Sequence, residues 1–407
     1  MIDTLRLQLP IKNEFLVFNE DSQGRVTGAE TDVKLFHSHG FKLSAGEVEI
    51  NTDSTTVHRL NHPFESIPSS NSSLAFKLRT GGPNYFAHIE LNASPAKLLQ
   101  GHNVFGSDCP ELCIMALIDA FNHQFPQIGD LVDYDKAEIA QIDCTYSATV
   151  LNRFIATQIL QILGNVSTGR IKASNSYDSS ATWNLGSKRC SRLVYLKEEE
   201  VKKAIDKLTK KAKGVVPEYI TRQLQALQSD DVQSFIHNTL RFEAKIRKLW
   251  LKDHAIPTRI IDFIKLSRTR TNLIQEMWEQ AFNPLFKTFE GHNVDINNNE
   301  LVHKELRAKF VSVKNGKPTF TKANNLYRFF INIKNEGLAA VKASTSERAF
   351  YRNMAELTKV VPRSAVANLT GNSTNIIPLV RMINVDFAKQ VPDSWQEPEP
   401  MIVQLGR

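Results

Sequence analysis

Short strand-like segments fill most of residues 2–91 and restrict this chain to folds that contain a sheet. Leu5, Leu7 and Leu9 alternate with polar residues, as expected when one strand face is buried. Further apolar runs are separated by clusters of Gly, Asn, Ser and Pro, which favour turns. They lie at Phe15–Phe18, Val48–Ile50, Leu74–Leu78 and Tyr85–Leu91. The amino-terminal part is therefore predicted to be mostly β.

Helical and strand-like patterns alternate in the next two hundred residues. Helices are predicted at Pro110–Phe121, Leu151–Leu163, Glu198–Lys213, Pro217–Leu227 and Ile260–Phe286, and a short one begins at Ser94-Pro95. Strands are predicted at Ala137–Ala148, around Tyr195, and at Thr239–Ile246. The Gly-, Ser- and Asn-rich stretch that ends at Ser180 is predicted to be a mobile loop.

The last hundred residues differ in charge and in pattern. From Glu300 to Arg407 there are 16 basic and 9 acidic residues, an excess equal to the net charge of +7 for the whole chain. A basic surface there would attract a polyanion. An Asn-Gly turn predicts a hairpin, and Phe320–Ile333 predicts a helix. Ser346–Val360 and Ser364–Leu369 suggest a helix-turn-helix, although most helical pairs bind nothing.

Tyr195 lies in a strand-like run beside several cations. Leu193, Val194 and Leu196 surround it, and Lys197 would share its face if the strand continued. A phenol with a pKa near about 10 is a poor nucleophile unless its anion is stabilised, and a neighbouring ammonium is one way to do so. Lys188, Arg189 and Arg192 could hold a phosphate. The alternative is a core tyrosine with a lysine packed along it.

The stretch around Tyr195 resembles the catalytic segment of the filamentous-phage replication initiators, the gene II proteins. Other segments resemble the same family in the same order from end to end. They are Met1–Asp3, His62–Ser66, Ala93–Gly106, Ile142–Ala148, Leu240–Ala244, Leu285–Gly291 and Ile377–Phe387.

The resemblance implies an α+β fold with a central antiparallel sheet flanked by helices, similar to rolling-circle Rep and relaxase nucleases. Residues 1–295 are predicted to form the nicking domain, and residues 296–407 a smaller, mainly helical, DNA-binding domain. Tyr195 would be the nucleophile and Lys197 its electrostatic neighbour. The residues expected to bind Mg²⁺ or Mn²⁺ are Glu90, Asp143, Glu243 and His88. The residues expected to contact DNA are Lys188, Arg189, Arg192, Arg241, Lys322, Arg328, Arg348, Arg352, Lys359 and Arg363.

The implied function is rolling-circle initiation in the host bacterial cytoplasm. The protein would bind the viral origin, nick the plus strand through a 5′-phosphotyrosine, and later cleave and rejoin the displaced single strand. The host helicase and polymerase would be partners, more than one protomer could bind at the origin, and no membrane would be involved. Two alternatives stay open. One is a non-catalytic duplex DNA-binding regulator, and the other is a metal-dependent nuclease that uses water and leaves no covalent adduct.

Overall fold

A computed structural model describes most of the chain. The described residues are 1–41, 47–50, 57–61, 63–69, 71–164, 167–177, 179–212, 216–289, 293–295, 299–314, 316–361, 366, 376–378, 383 and 385–399. Among these residues, none of the helices combines the length and the apolar character needed to cross a membrane.

Seventeen strands are defined in the described residues. In chain order they are β1 (Ile2–Pro10), β2 (Val17–Glu20), β3 (Val26–Glu30), β4 (Glu47–Ile50), β5 (Val57–Asn61), β6 (Glu65–Pro68), β7 (Ser73–Arg79), β8 (His88–Ala93), β9 (Glu138–Thr149), β10 (Ala173–Tyr177), β11 (Ser180–Trp183), β12 (Cys190–Leu196), β13 (Thr239–Arg247), β14 (Asn293–Asp295), β15 (Ser312–Lys314), β16 (Lys317–Thr319) and β17 (Ile376–Pro378).

The same residues contain fourteen α-helices. They are α1 (Val33–Ser38), α2 (Pro95–Gln100), α3 (Pro110–Gln124), α4 (Arg153–Gly164), α5 (Lys197–Lys211), α6 (Glu218–Gln228), α7 (Asp230–Ile236), α8 (Lys248–Asp253), α9 (Ile260–Thr269), α10 (Leu273–Phe289), α11 (Asn299–Lys309), α12 (Thr321–Glu336), α13 (Leu338–Ser344) and α14 (Glu347–Leu357).

Nine strands form one antiparallel sheet in the order β10-β11-β12-β13-β9-β1-β8-β7-β6. The predicted α+β fold with a central antiparallel sheet and flanking helices is confirmed. Alternate residues of each strand point to opposite sides, so one face is apolar and packs against α3 and α10. The opposite side, which we call the polar face, carries Tyr195, Glu243, Asp143 and Glu90, because the strand register places them on the same side.

The predicted loop before Ser180 is partly wrong. Residues of β10 and β11 pair as an antiparallel hairpin, and β11 continues the sheet next to β12. Ser180 lies directly opposite Tyr195. The polar composition was misleading because an edge hairpin needs few apolar residues on its solvent side.

The strand that carries Tyr195 is shorter than expected. It ends at Leu196, and Lys197 is the first residue of α5. The argument that Tyr195 and Lys197 share a face of one strand is therefore wrong. Their proximity is nevertheless confirmed, since Lys197 Nζ lies 5.9 Å from the centre of the Tyr195 ring.

The carboxyl-terminal part is mainly helical, with the predicted hairpin formed by β15 and β16. Gly316 in its turn has a φ of +75°, which a residue without a Cβ adopts at little cost. The first helix of the expected helix-turn-helix is α14. Arg363 and most of the second helix lie outside the described residues, so this motif stays a prediction.

Residues 385–399, which we call the return segment, come back to the sheet. The Phe387 ring packs against Tyr146 and Trp278, at centroid distances of 5.0 and 5.6 Å. The Gln390 side chain both accepts from Ser147 N (2.7 Å) and donates to Ser147 O (3.0 Å). Trp395 Nε1 donates to Gln100 Oε1 at 2.9 Å. The return segment is thus bonded to elements that precede it by more than one hundred residues in the chain.

Candidate active site on the polar face

Tyr195 is partly exposed on β12, next to β13. It pairs with Arg241, and Glu243 lies diagonally across the same face, within reach of a long side chain. Burial, followed by the negative charge of Glu243, raises the pKa of Tyr195 well above its usual value. The phenol is therefore neutral at physiological pH. A nucleophilic role requires positive charge to be brought close to it.

Lys197 supplies one such charge and is completely buried. Its ammonium lies 2.6 Å from Glu200 Oε2 and donates to Asn103 Oδ1 at 3.3 Å. Burial, together with the charge of Arg241, lowers the pKa of Lys197 to about 8. The ammonium is therefore charged at neutral pH but loses its proton in mild alkali.

Three carboxylates lie close together on the polar face, and one of them was not predicted. Asp143 on β9 and Glu243 on β13 are both buried, and both face Lys245, whose Nζ lies 3.6 Å from Asp143 Oδ2 and 2.9 Å from Glu243 Oε1. The third carboxylate belongs to Asp3 on β1, which accepts a 2.8 Å hydrogen bond from Asn103.

The pKa values of these carboxyls reflect their crowding. Burial and the charge of Glu243 raise the pKa of Asp143 well above its usual value, and burial and Asp3 raise the pKa of Glu243. Burial acts on Asp3 in the same direction, but Arg241 and Lys197 outweigh it and hold the pKa of Asp3 below normal. Burial is the larger cause of both raised pKa values, and repulsion between neighbouring carboxylates adds to it.

Arg241 links this cluster to the start of the chain. Its side chain is fully buried, with NH2 3.5 Å from Asp3 Oδ1 and NH1 donating to Val104 O at 2.6 Å. The amino group of Met1 is buried nearby and donates to Thr145 O at 2.9 Å. Arg241 was predicted to contact DNA, but its NH1 and NH2 groups are directed at Val104 O, Asp3 Oδ1 and the Met1 sulfur in the interior. We therefore assign it to holding the site together.

The predicted set of metal ligands does not converge on one point. Glu90 lies opposite Gln8, which lies opposite Glu138. Glu138 is five residues from Asp143 along β9, a separation of roughly 17 Å at about 3.4 Å per residue. Glu90 is instead paired with Arg6 and Arg79, each at 3.2 Å. One ion bound by both Glu90 and Asp143 is therefore excluded by the strand register.

His88 shares the face of Glu90 and, opposite Pro10, lies still farther from Asp143. Its Nδ1 is 2.8 Å from Phe86 O, and Nε2 is 3.3 Å from Gln8 Nε2. Within the described ranges there is no cluster of three or more His, Cys, Asp or Glu side chains arranged to hold a metal ion. Asp143 and Glu243 are the two members of the predicted set that the structure brings together.

The basic residues before Tyr195 divide into two groups. Lys188 and Arg189 are exposed, and Arg189 Nε lies 2.6 Å from Asp253. Arg192 is buried on the apolar side of the sheet and donates to Ala281 O in α10. Its prediction as a DNA contact is corrected, because its guanidinium is enclosed between the sheet and a helix.

In the carboxyl-terminal part, the predicted cations that lie within the described residues are exposed. Lys322 and Arg328 lie on α12, Arg348 and Arg352 lie on α14, and Lys359 follows α14. Helices α12 and α14 are in contact, so these residues belong to neighbouring surfaces. Lys322 and Lys359 each lie 3.0 Å from Glu356, which offsets part of their charge.

Sequence reasoning missed Asp3, Asn103 and Glu200. Asp3 and Asn103 lie in segments that carry the family resemblance, but neither has a neighbour in sequence that predicts its partners. Asn103 connects Asp3 to Lys197 across about one hundred residues of chain, a contact that only the folded sheet creates.

Two family models match the chain, and together they cover most of it. The model of the amino-terminal region of the phage replication-associated protein matches residues 1–271, and the model of its carboxyl-terminal region matches residues 313–401. The chain is 35% identical to the replication-associated protein of Salmonella phage IKe, over 98% of this chain and 96% of the relative. It is 36% and 35% identical to those of Enterobacteria phages fd and M13, over 98% of this chain and 99% of each relative. The chain therefore belongs to the family of filamentous-phage replication-associated proteins, the gene II proteins that its sequence resembles.

Proposed function

We propose that this protein initiates rolling-circle replication by nicking the viral origin through Tyr195. The observation that carries the proposal is the partly exposed Tyr195 phenol beside a buried ammonium, on the sheet face that also carries the buried carboxylates of Glu243 and Asp143. That combination offers a nucleophile, a positive charge and a binding site for a cation. A tyrosine packed only for stability needs none of these.

The reaction is a transesterification at one phosphorus atom. The Tyr195 oxygen forms a bond to phosphorus while the bond from phosphorus to the 3′ oxygen breaks. The phenolic proton is lost and the departing oxygen ends as a 3′ hydroxyl, so atoms and charge balance. Because the phosphotyrosine conserves the bond energy, a later 3′ hydroxyl can reverse the reaction and close a circle. The 3′ hydroxyl left by the first cut would prime the host polymerase.

The residues present fit a hard divalent cation such as Mg²⁺ or Mn²⁺. Asp143 Oδ2 is buried and has no hydrogen-bond partner among the described residues, and Glu243 lies next to it. Mg²⁺ is commonly bound by one or two carboxylates together with phosphate and water. When bound, it would offset the negative charge that raises the pKa of Tyr195. Lys245, which is partly exposed, would then swing away from the two carboxylates.

We expect Mn²⁺ binding to depend on Asp143 and Glu243 but not on Glu90. Asp143→Asn and Glu243→Gln should each weaken Mn²⁺ binding at least about tenfold, since each removes a charged ligand. Glu90→Gln is the matched control because Glu90 is held by two arginines. Electron paramagnetic resonance of free Mn²⁺ measures binding without any cleavage. Equal losses in all three variants would contradict this assignment.

The pH dependence of nicking tests the role of Lys197. The pKa of Lys197 is about 8, so its side chain is a charged ammonium below pH 8 and a neutral amine above it. If its charge stabilises the phenolate, the single-turnover nicking rate should fall as pH rises through about 8. Lys197→Arg should shift that fall to higher pH, because a guanidinium stays charged. A rate that rises through pH 8 would indicate instead that the neutral amine acts as a base.

The experiment that decides the function is cleavage of supercoiled DNA carrying the phage origin, followed by denaturing electrophoresis. Covalent attachment of the protein to the 5′ end supports the proposal. A nick with a free 5′ phosphate would favour a nuclease that uses water. Duplex binding without any cut would favour a regulator that uses the exposed cations of α12 and α14.

A further inference from the structure

A groove opens beside the candidate active site between the polar face and helices α5 and α6. It has a volume of about 480 Å³, within the range of about 300–1,000 Å³ typical of ligand sites. It is lined by Thr4 and Asn92 of the sheet and by residues of α2, α5 and α6. Glu200 and Asn103 line it and also contact Lys197, so the groove adjoins the Lys197 and Tyr195 pair.

The lining of the groove is positively charged. Lys97, Lys207 and Lys211 line it, and none of them forms an ion pair within the described residues. Glu200 is the acidic residue among those that line it, and its charge is already matched by Lys197. Helix α5 carries charges of both signs, a pattern typical of a solvated helix face. Its fold instead directs two lysines to one side, because positions 207 and 211 are one turn apart.

Hydroxyl and aromatic groups accompany the lysines. The Ser94 hydroxyl oxygen is buried at the groove and has no hydrogen-bond partner among the described residues. Tyr219 of α6 is partly exposed and also lines the groove. Lysines that follow a backbone, hydroxyls that bond phosphate and an aromatic ring for a base are the features of single-strand binding sites.

We propose that this groove binds a short stretch of single-stranded DNA that flanks the phosphate presented to Tyr195. Lys97, Lys207 and Lys211 contact backbone phosphates, and Tyr219 stacks against a base. A volume of about 480 Å³ has room for a few nucleotides of one strand and not for a duplex, so duplex recognition is left to the exposed cations of the carboxyl-terminal part. The proposal rests on the proposed function in one respect, namely that Tyr195 is the residue that receives a phosphate of the bound strand.

The test compares two double variants on the same helix. Lys207→Ala/Lys211→Ala removes two lysines from the groove, whereas Lys203→Ala/Lys210→Ala removes two exposed lysines that do not line it. Binding of a fluorescein-labelled oligothymidylate to the full chain is measured by anisotropy in EDTA, where no cleavage occurs. Circular dichroism melting confirms that both variants fold.

We expect the groove variant to lose about 25-fold in affinity at about 0.1 M salt. Its slope of log affinity against log salt should also fall by about 1.4, or about 0.7 for each phosphate contact. The matched variant should change neither quantity. Equal losses in both variants, or no loss in either, would overturn the proposal. This result does not depend on cleavage, so it separates failure of the groove from failure of Tyr195 as the nucleophile.

Discussion

Tyr195→Phe should abolish the covalent protein–DNA adduct and lower the nicking rate at least about a thousandfold, as expected when a covalent nucleophile is removed. The change deletes one oxygen from a partly exposed side chain and leaves the ring contact with Lys197 in place. Folding and duplex affinity should therefore be unchanged. Single-turnover cleavage of supercoiled origin DNA, with the 5′ terminus analysed under denaturing conditions, measures the effect.

The matched control is Tyr146→Phe. Tyr146 lies on β9, two strands away from Tyr195, and on the apolar face, where it packs against Trp278 at a centroid distance of 5.4 Å. We expect this variant to nick at close to the normal rate. A Tyr195→Phe protein that still formed an adduct would place the nucleophile elsewhere and refute the proposed chemistry.

Arg241→Met should give the largest loss of stability among single changes near the site. It leaves Asp3 buried without the guanidinium that faces it from β13, and it breaks the bond to Val104 O. Removing one member of a buried ion pair costs about 3–5 kcal/mol, because the other charge stays in a poorly solvated position. Urea unfolding followed by far-ultraviolet circular dichroism measures the change in the free energy of unfolding.

Two further variants test the cause of that loss. Adding Asp3→Asn to Arg241→Met should recover part of the stability, because the double variant no longer buries the Asp3 charge without its partner. Arg189→Ala, which breaks an exposed ion pair with Asp253, should cost less than about 1 kcal/mol. If Arg241→Met cost no more than Arg189→Ala, the buried pair with Asp3 would have no structural importance.

Most of the elements could be predicted from periodicity and turn residues. The alternation in β1 and the Ser94-Pro95 start of α2 are clear because each depends on local backbone preferences. The hairpin of β10 and β11 could not be recognised, because edge strands with polar residues resemble loops. The early start of α5 was missed because Leu196 and Lys197 fit a strand as well as a helix.

The site was only half predictable, for a geometric reason. Period-two spacing placed Arg241, Glu243 and Lys245 on one face of β13, and the structure confirms this. Spacing within a strand says nothing about register between strands, so it could not show that Glu90 is far from Asp143. The burial of a side chain likewise cannot be predicted from its neighbours in sequence, which is why Arg192 and Arg241 were predicted to be surface cations.

The return segment would lose its packing partners in a truncated chain that began near Val294. Such a chain would contain Phe387 and Trp395 but not Tyr146, Trp278 or Gln100, on which they rest in the full-length protein. Both rings would then be released to water, at a cost of about 25 cal/mol for each Å² of apolar area uncovered. The truncated chain would thus be less soluble than the full-length protein. It would need a second copy of itself or another protein to bury Phe387 and Trp395.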